Sequence, residues 1–283
     1  MLTDSKGKLR NVNRRDFVLK TALPIGFALA VSQVAFSVIE TDLEGIEASE
    51  IKIKSGNIEL PAYQAMPKQK SNLTPLIICH EIFGVHEHIR DVCRRFAKLG
   101  YYAIAPYLYA RHGEVANIKD IPTIISDVVS KVTVADVNAD LDATVKYLNA
   151  TKKANMPRLV VTGFCWGGKA TWMYAAHNPK IKCAIAWYGS LVNPPEQKSQ
   201  SPIDIAQQLK VPVLGLYAGK DKNISLDQVA QMEKALAKGK SKSKIIIYPY
   251  AEHGFFADYR PSYQKSSAEQ ALSEMLQWIK QHS

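Results

Sequence analysis

Residues 159–170 read LVVTGFCWGGKA, an apolar and β-branched run that leads into closely spaced glycines and then into an alanine. The run predicts a buried strand, and the segment after the glycines predicts the start of a helix. Gly163 and Gly167 flank Cys165 at equal spacing, and both are small enough to let strand and helix approach at a very sharp turn. The pattern therefore predicts a nucleophile elbow, in which the thiol of Cys165 projects above the sheet.

Two interpretations of Cys165 are open at this point. The predicted helix N-terminus lies beside its sulfur, and the partial positive charge there favours thiolate over thiol. A buried structural cysteine beside a glycine-rich turn has the same short motif, and short motifs often match by chance. A reactive cysteine therefore requires a base, an acid and an oxyanion donor elsewhere in the chain.

Buried apolar segments alternate with amphipathic helical segments along most of the chain, which predicts a mostly parallel sheet with helices on both faces. Before them, alternating residues at 51–54 and 58–66 around a Ser-Gly-Asn turn predict an antiparallel hairpin at the sheet edge. The fold class is therefore α/β, a doubly wound sheet with an N-terminal hairpin and functional loops at the C-terminal ends of its strands. Besides the elbow, strands are predicted at 75–80, 101–105, 180–187, 211–217 and 244–248, and helices at 89–99, 137–148, 226–237 and 266–280.

Two further side chains follow later strands of the predicted sheet. Asp221 comes after the strand at 211–217, and His253 comes after the last predicted strand. The chain order nucleophile, acid, histidine is the order that α/β-hydrolases use, so Cys165, Asp221 and His253 fall where one triad would close. In such a triad the histidine takes the thiol proton and the acid fixes the histidine tautomer. Taken singly, Asp221 also fits an Asx turn and His253 an ordinary turn residue.

Several motifs together resemble the dienelactone hydrolase (carboxymethylenebutenolidase) family of α/β-hydrolases. They are CHEIFGV at 79–85, GYYA at 100–103, APYLYAR at 105–111, GFCWGG at 163–168 and AEHGF at 251–255. The resemblance runs from residue 50 to the C-terminus and implies an α/β-hydrolase fold and the Cys, His, Asp triad. It also implies that Glu81 pairs with the cysteine region in the resting enzyme and helps to activate the thiol when substrate displaces it. By position in the same fold, the backbone N–H groups of Ile82 and Trp166 are expected to form the oxyanion hole.

Members of the family also bind a substrate carboxylate with arginines, and this chain has a clear match for only one of them. Arg111 fits the Leu-Tyr-Ala-Arg motif, and its forked guanidinium suits a carboxylate. The second family arginine falls where this chain has Ala257, and Arg260 stands nearby as a substitute. The alternative for Arg111 is a pairing with Glu81 or Glu114 that holds its loop.

The N-terminus predicts export from the cytoplasm. Arg14 and Arg15 precede an apolar run at 28–38, and this arrangement resembles a twin-arginine signal. Residues 1–37 are therefore interpreted as a signal peptide and 38–49 as a linker, with the catalytic domain at 50–283. The expected location is the periplasm or the exterior, with membrane contact only during export. An uncleaved N-terminal anchor is the alternative.

The net charge of +10 does not indicate a nucleic-acid partner. The leader holds six basic and two acidic residues, so the rest of the chain carries +6, and these charges form no basic cluster. Four cysteines are too few for a disulfide scaffold. His80, His86 and His88 lack the spacing of a metal site, and neither a metal nor another cofactor is expected.

These observations predict a monomeric, thiol-dependent hydrolase of carboxylic esters or lactones, whose small-molecule substrate carries a carboxylate if the arginines bind one. Two other classes stay open. One is a non-catalytic ligand-binding protein on the same fold. The other is a thiol redox protein, although Cys165 has no Cys-x-x-Cys partner.

Overall fold

The computed structural model describes residues 39–195 and 197–282. The predicted leader, with Arg14 and Arg15, therefore lies outside the described residues. Eight strands form one sheet: β1 (Ile46–Ser55), β2 (Ile58–Pro67), β3 (Thr74–Cys79), β4 (Tyr101–Pro106), β5 (Val160–Phe164), β6 (Cys183–Trp187), β7 (Val213–Ala218) and β8 (Lys244–Tyr248).

The strand order is β1-β2-β4-β3-β5-β6-β7-β8. The β1–β2 hairpin is antiparallel and pairs Ser55 with Ile58 across its turn, and β2 also runs antiparallel to β4. The remaining neighbours are parallel. The predicted α/β class, the mostly parallel sheet and the N-terminal hairpin are thereby confirmed.

Helices cover both faces of the sheet, as buried strands require. They are α1 (Glu87–Lys98), α2 (Ile121–Asp127), α3 (Val134–Thr151), α4 (Trp166–His177), α5 (Pro202–Ile205), α6 (Leu226–Ala237) and α7 (Lys265–His282). One apolar core lies under α3, α4 and α6, and a second lies under α1 and α7. In the described part of the chain, none of these helices is long and apolar enough to cross a membrane.

The segment interpreted as a linker is partly structured, which corrects the boundary at residue 50. Strand β1 already begins at Ile46 and pairs with β2 over ten residues. The residues before it are bonded to the domain, since the Thr41 N–H donates to Asp91 Oδ1 at 2.6 Å and the Ile39 N–H to Asp258 Oδ2 at 3.1 Å. The start of β1 was not predicted from the sequence because much of the strand faces solvent, so its acidic residues show no clear apolar alternation.

Candidate active site

Cys165 sits between β5 and α4 with φ 55° and ψ −116°, in a backbone region that a non-glycine residue rarely adopts. Its neighbours explain how the turn closes. A Cβ on Gly163 would lie 2.2 Å from the Gly167 carbonyl oxygen, and a Cβ on Gly167 would lie 2.2 Å from the Cys79 carbonyl oxygen. Both positions therefore require glycine, and the strained turn presents the thiol at the C-terminal edge of the sheet.

The structure brings Cys165, His253 and Asp221 together from three separate loops. His253 Nε2 lies 3.1 Å from Cys165 Sγ, and His253 Nδ1 lies 2.7 Å from Asp221 Oδ2. The other carboxylate oxygen of Asp221 accepts the N–H groups of Asn223 and Ile224 at 2.8 and 3.2 Å. The Asx turn that was the alternative interpretation of Asp221 is therefore present as well, and it orients the carboxylate toward the imidazole.

The imidazole of His253 is held in its charged form. Burial opposes the charge, but the hydrogen bonds to Asp221 and Cys165 outweigh it and raise the pKa of His253 to about 10. This positive charge lies 3.1 Å from the Cys165 sulfur.

The other three cysteine thiols are buried, unlike that of Cys165. All four cysteines are free, yet only Cys165 is partly exposed. Burial raises the pKa of Cys79 and of Cys183 to about 12, and it raises that of Cys93 as well. Buried thiols of high pKa are poor nucleophiles, so Cys165 is the candidate nucleophile among the four.

The two predicted oxyanion donors lie in the loops on either side of the sulfur. Trp166 is the first residue of α4, where an N–H has no partner within the helix. Within residues 39–195 and 197–282, neither its N–H nor that of Ile82 donates to another protein group. Both N–H groups are therefore free to donate to a reacting oxygen.

His80 supports the first of these loops. Its Nδ1 lies 2.7 Å from the Glu81 carbonyl oxygen, and its Nε2 accepts the Leu108 N–H at 3.1 Å. This pattern assigns the proton to Nδ1, and burial lowers the pKa of His80 to about 4. Its ring stacks on Trp166 at 5.4 Å. The neutral imidazole thus supports the loops that carry Ile82 and Trp166, and both of its nitrogens are hydrogen-bonded. No cluster of metal-ligating side chains occurs among the described residues.

Glu81 is buried, and its contacts differ from those that the family resemblance implies. Its Oε2 accepts the Tyr259 hydroxyl at 2.6 Å and lies 3.4 Å from His86 Nε2, while its Oε1 lies 3.3 Å from Arg260 Nη2. Cys165 is not among these contacts; its sulfur is engaged by His253 instead. Burial opposes ionisation, yet the charge of Arg260 and the close approach of the His86 imidazole lower the pKa of Glu81 well below its usual range.

Arg111, predicted to bind a substrate carboxylate, is bonded to other residues of the protein in this structure. Its Nε and Nη2 bind the buried Asp140 carboxylate at 3.1 and 2.6 Å, and Nη2 also donates to Ser55 Oγ at 2.8 Å. The guanidinium therefore joins the β1–β2 turn to α3. Arg111 thus forms an ion pair that fixes its loop, as the alternative interpretation expected, but its partner is Asp140 and not Glu81 or Glu114. The pairing follows because a buried carboxylate requires a counter-charge.

Arg260 lies beside the site, on the loop that carries His253. Its guanidinium covers the ring of Phe83 at 5.1 Å and that of Tyr259 at 5.4 Å. A Cβ on Gly254, the residue after the histidine, would lie 3.1 Å from Arg260 Nη1. Arg260 thus occupies the region where the resemblance expects an arginine at Ala257, although its charge is already paired with Glu81.

Two buried tyrosines were not predicted as part of the site. Tyr109 packs edge-on against Trp166 at 4.7 Å, and Tyr188 packs edge-on against His253 at 5.1 Å. Neither hydroxyl has a hydrogen-bond partner in the described part of the chain. Tyr109 lies within the APYLYAR motif and Tyr188 directly follows β6, so their position at strand C-termini was the available signal.

The fold and the site define an α/β-hydrolase with a cysteine at the nucleophile position. The sequence profile of the dienelactone hydrolase family matches residues 60–283. The chain is 47% identical over 270 residues to a Methylorubrum extorquens protein named "putative carboxymethylenebutenolidase", with 95% of this chain and 93% of the relative covered. An Escherichia coli protein of the same name is 47% identical over 266 residues, covering 93% and 98%. The protein therefore belongs to the dienelactone hydrolase family.

Solved structures agree with this assignment. A crystal structure titled as a putative dienelactone hydrolase from Klebsiella pneumoniae superposes with a TM-score of 0.80 at 48% identity, covering 83% of this chain and 99% of the other. An acylaminoacyl peptidase from Pyrococcus horikoshii has a TM-score of 0.66 at 17% identity, covering 85% of this chain and 42% of the other. The second likeness shows the fold alone.

Proposed function

We propose that this protein hydrolyses carboxylic esters or lactones through a covalent thioester on Cys165. The observation that carries the proposal is the continuous arrangement of Cys165 Sγ, His253 and Asp221, with contacts of 3.1 and 2.7 Å. Nucleophile, base and orienting acid within hydrogen-bonding reach are the arrangement that covalent acyl transfer requires.

In the first half-reaction, the Cys165 thiolate attacks the carbonyl carbon and the carbonyl π electrons move onto oxygen. The N–H groups of Ile82 and Trp166 would bind that oxyanion, as both lack protein partners in the described chain. The intermediate collapses with cleavage of the bond to the alkoxide, and the His253 imidazolium supplies its proton. For a lactone the alcohol stays attached to the acyl group.

In the second half-reaction, neutral His253 accepts a proton from water while the water oxygen attacks the thioester. The tetrahedral intermediate releases the Cys165 thiolate and a carboxylic acid, and His253 is again protonated. Asp221 keeps the proton on Nδ1 throughout, so Nε2 always faces the reacting atoms.

The test is intact-mass measurement of the protein after brief mixing with para-nitrophenyl acetate. One acetyl group should appear on the wild type and none on Cys165→Ala, while His253→Ala should acylate far more slowly. A protein that binds esters without acylation or turnover would instead be the non-catalytic ligand-binding protein considered above.

We further propose that the protein acts in the periplasm or outside the cell. The support is the Arg14–Arg15 pair before an apolar run.

A further inference from the structure

A cavity of about 480 Å³ is lined by Trp166, the residue after Cys165. Its floor is one face of helix α4, since residues spaced three and four apart share a face. Its opposite wall comes from α2, from the start of α3 and from the turn between them, and its rim comes from the loop after β6. The floor residues are Trp166, Lys169, Ala170 and Met173. The cavity therefore begins at the residue after Cys165 and extends about two helical turns along α4.

Most of the lining is apolar, with valines and isoleucine from the α2–α3 wall. Lys169 is the one charged residue among the described residues that line it. Its ammonium donates to Asn193 Oδ1 at 2.5 Å, a neutral partner. Burial lowers the pKa of Lys169, which shows that its surroundings do not compensate the charge.

The cations near the site differ in how they are paired. Arg111 binds Asp140 and Arg260 pairs with Glu81, as described above. Arg90, which lines a second cavity beside Phe83, pairs with Glu50 at 2.9 Å. No carboxylate of the described chain pairs with Lys169. An ammonium has three N–H donors, so donors remain for an anion that enters the cavity.

A second polar group in the cavity is also unsatisfied. The side-chain amide oxygen of Asn138 is buried and has no hydrogen-bond partner within the described residues. A buried polar atom without a partner costs free energy unless a ligand or water satisfies it. An apolar chain that ends in a carboxylate would fill the cavity and bring its oxygens to the Lys169 ammonium, while the Asn138 oxygen, an acceptor, takes a donor such as a water molecule.

We propose that this cavity is the acyl subsite and that Lys169 selects acyl groups ending in a carboxylate, as in monoesters of aliphatic dicarboxylic acids. The inference rests on the proposed function. Lys169 lies four residues after Cys165, about 6 Å along the helix axis, so the acyl chain would extend from the sulfur toward the ammonium.

The test compares mono-para-nitrophenyl adipate with para-nitrophenyl hexanoate, which differ in a terminal carboxylate and methyl group. The readout is the ratio of kcat/KM for the charged ester to that for the neutral ester. A charge-assisted hydrogen bond predicts that Lys169→Met lowers this ratio about ten- to thirtyfold. Lys169→Arg should retain most of it, and Lys169→Glu should lower it further.

Lys234→Met is the matched control, since this lysine is exposed on α6 and its removal changes the net charge equally. Binding of monomethyl adipate to Cys165→Ala, followed by calorimetry, gives a readout that needs no turnover. Hydrolysis of both esters with an unchanged ratio in Lys169→Met would overturn the subsite and leave the proposed function standing. Absence of hydrolysis and of Cys165 acylation in the wild type would overturn the function, and the inference with it.

Discussion

The guanidinium of Arg260 lies 3.3 Å from the buried carboxylate of Glu81, 179 residues away in the chain. Glu81 precedes Ile82, whose N–H is the predicted oxyanion donor, and Arg260 shares a loop with His253. The ion pair thus links the loop after β3 to the loop after β8, and the Tyr259 hydroxyl reinforces it through Glu81 at 2.6 Å and Arg260 Nε at 3.0 Å.

Replacing Glu81 by Gln should destabilise the protein by about 3 kcal/mol, because it leaves the Arg260 guanidinium buried without a counter-charge. The pKa of Glu81 is lowered on folding, so its contribution is present above about pH 4.5 and declines as the pH falls below that value. Thermal unfolding of wild type and variant from pH 3 to pH 8 measures the difference. Tyr259→Phe, which removes the two hydrogen bonds of that hydroxyl and keeps the ion pair, is the control and should cost about 2 kcal/mol.

Cys165→Ala, His253→Ala and the double variant should lose similar activity, on the order of a thousandfold or more, because the triad acts as a unit. The measurement is kcat/KM on para-nitrophenyl acetate, with circular dichroism to check folding. A double variant whose loss equals the product of the single losses would show that the two residues act independently.

The imidazole of His253 should remain protonated at pH 8 and titrate near 10. The folded pKa lies above the unfolded value of about 6.5, so the stability from this proton is complete below pH 6.5 and is lost as the pH rises through 10. An NMR titration of the imidazole resonances checks the pKa directly. Asp221→Asn should lower it, since the carboxylate that favours the charged form is gone; titration of the wild type near 6.5 would contradict the raised pKa of His253.

Arg111→Met should reduce stability by about 3 kcal/mol, because it leaves the buried Asp140 carboxylate unpaired. The double variant Arg111→Met, Asp140→Leu should recover part of that loss, and denaturant unfolding of all four proteins completes the cycle. Arg111→Met should affect charged and neutral esters equally. A selective loss on the charged ester would restore the carboxylate-binding role that the sequence suggested.

Export should depend on Arg14 and Arg15. Cells that make the wild type should carry the protein outside the cytoplasm, and cells that make an Arg14→Lys, Arg15→Lys variant should retain it inside. Fractionation followed by immunoblotting measures both, with a cytoplasmic enzyme as marker. Equal cytoplasmic retention of both proteins would show that the paired arginines are not a signal.

The sequence alone determined the elbow and the fold class. The glycines around Cys165 act on adjacent backbone, and alternating apolar segments report burial through local periodicity. The order of Cys165, Asp221 and His253 was also readable, because parallel strands bring their C-terminal ends to one edge of the sheet.

The tertiary structure alone decided which partner each long charged side chain takes. Glu81 and Glu114 were the carboxylates expected to pair with Arg111, but its partner is Asp140. Nothing in the sequence marks Lys169 as part of a cavity, and only the packing of α4 places it there. Likewise, the start of β1 at Ile46 depends on pairing with β2. A guanidinium or ammonium on a flexible chain satisfies whichever acceptor the fold brings near, and that proximity is set by contacts between residues far apart in sequence.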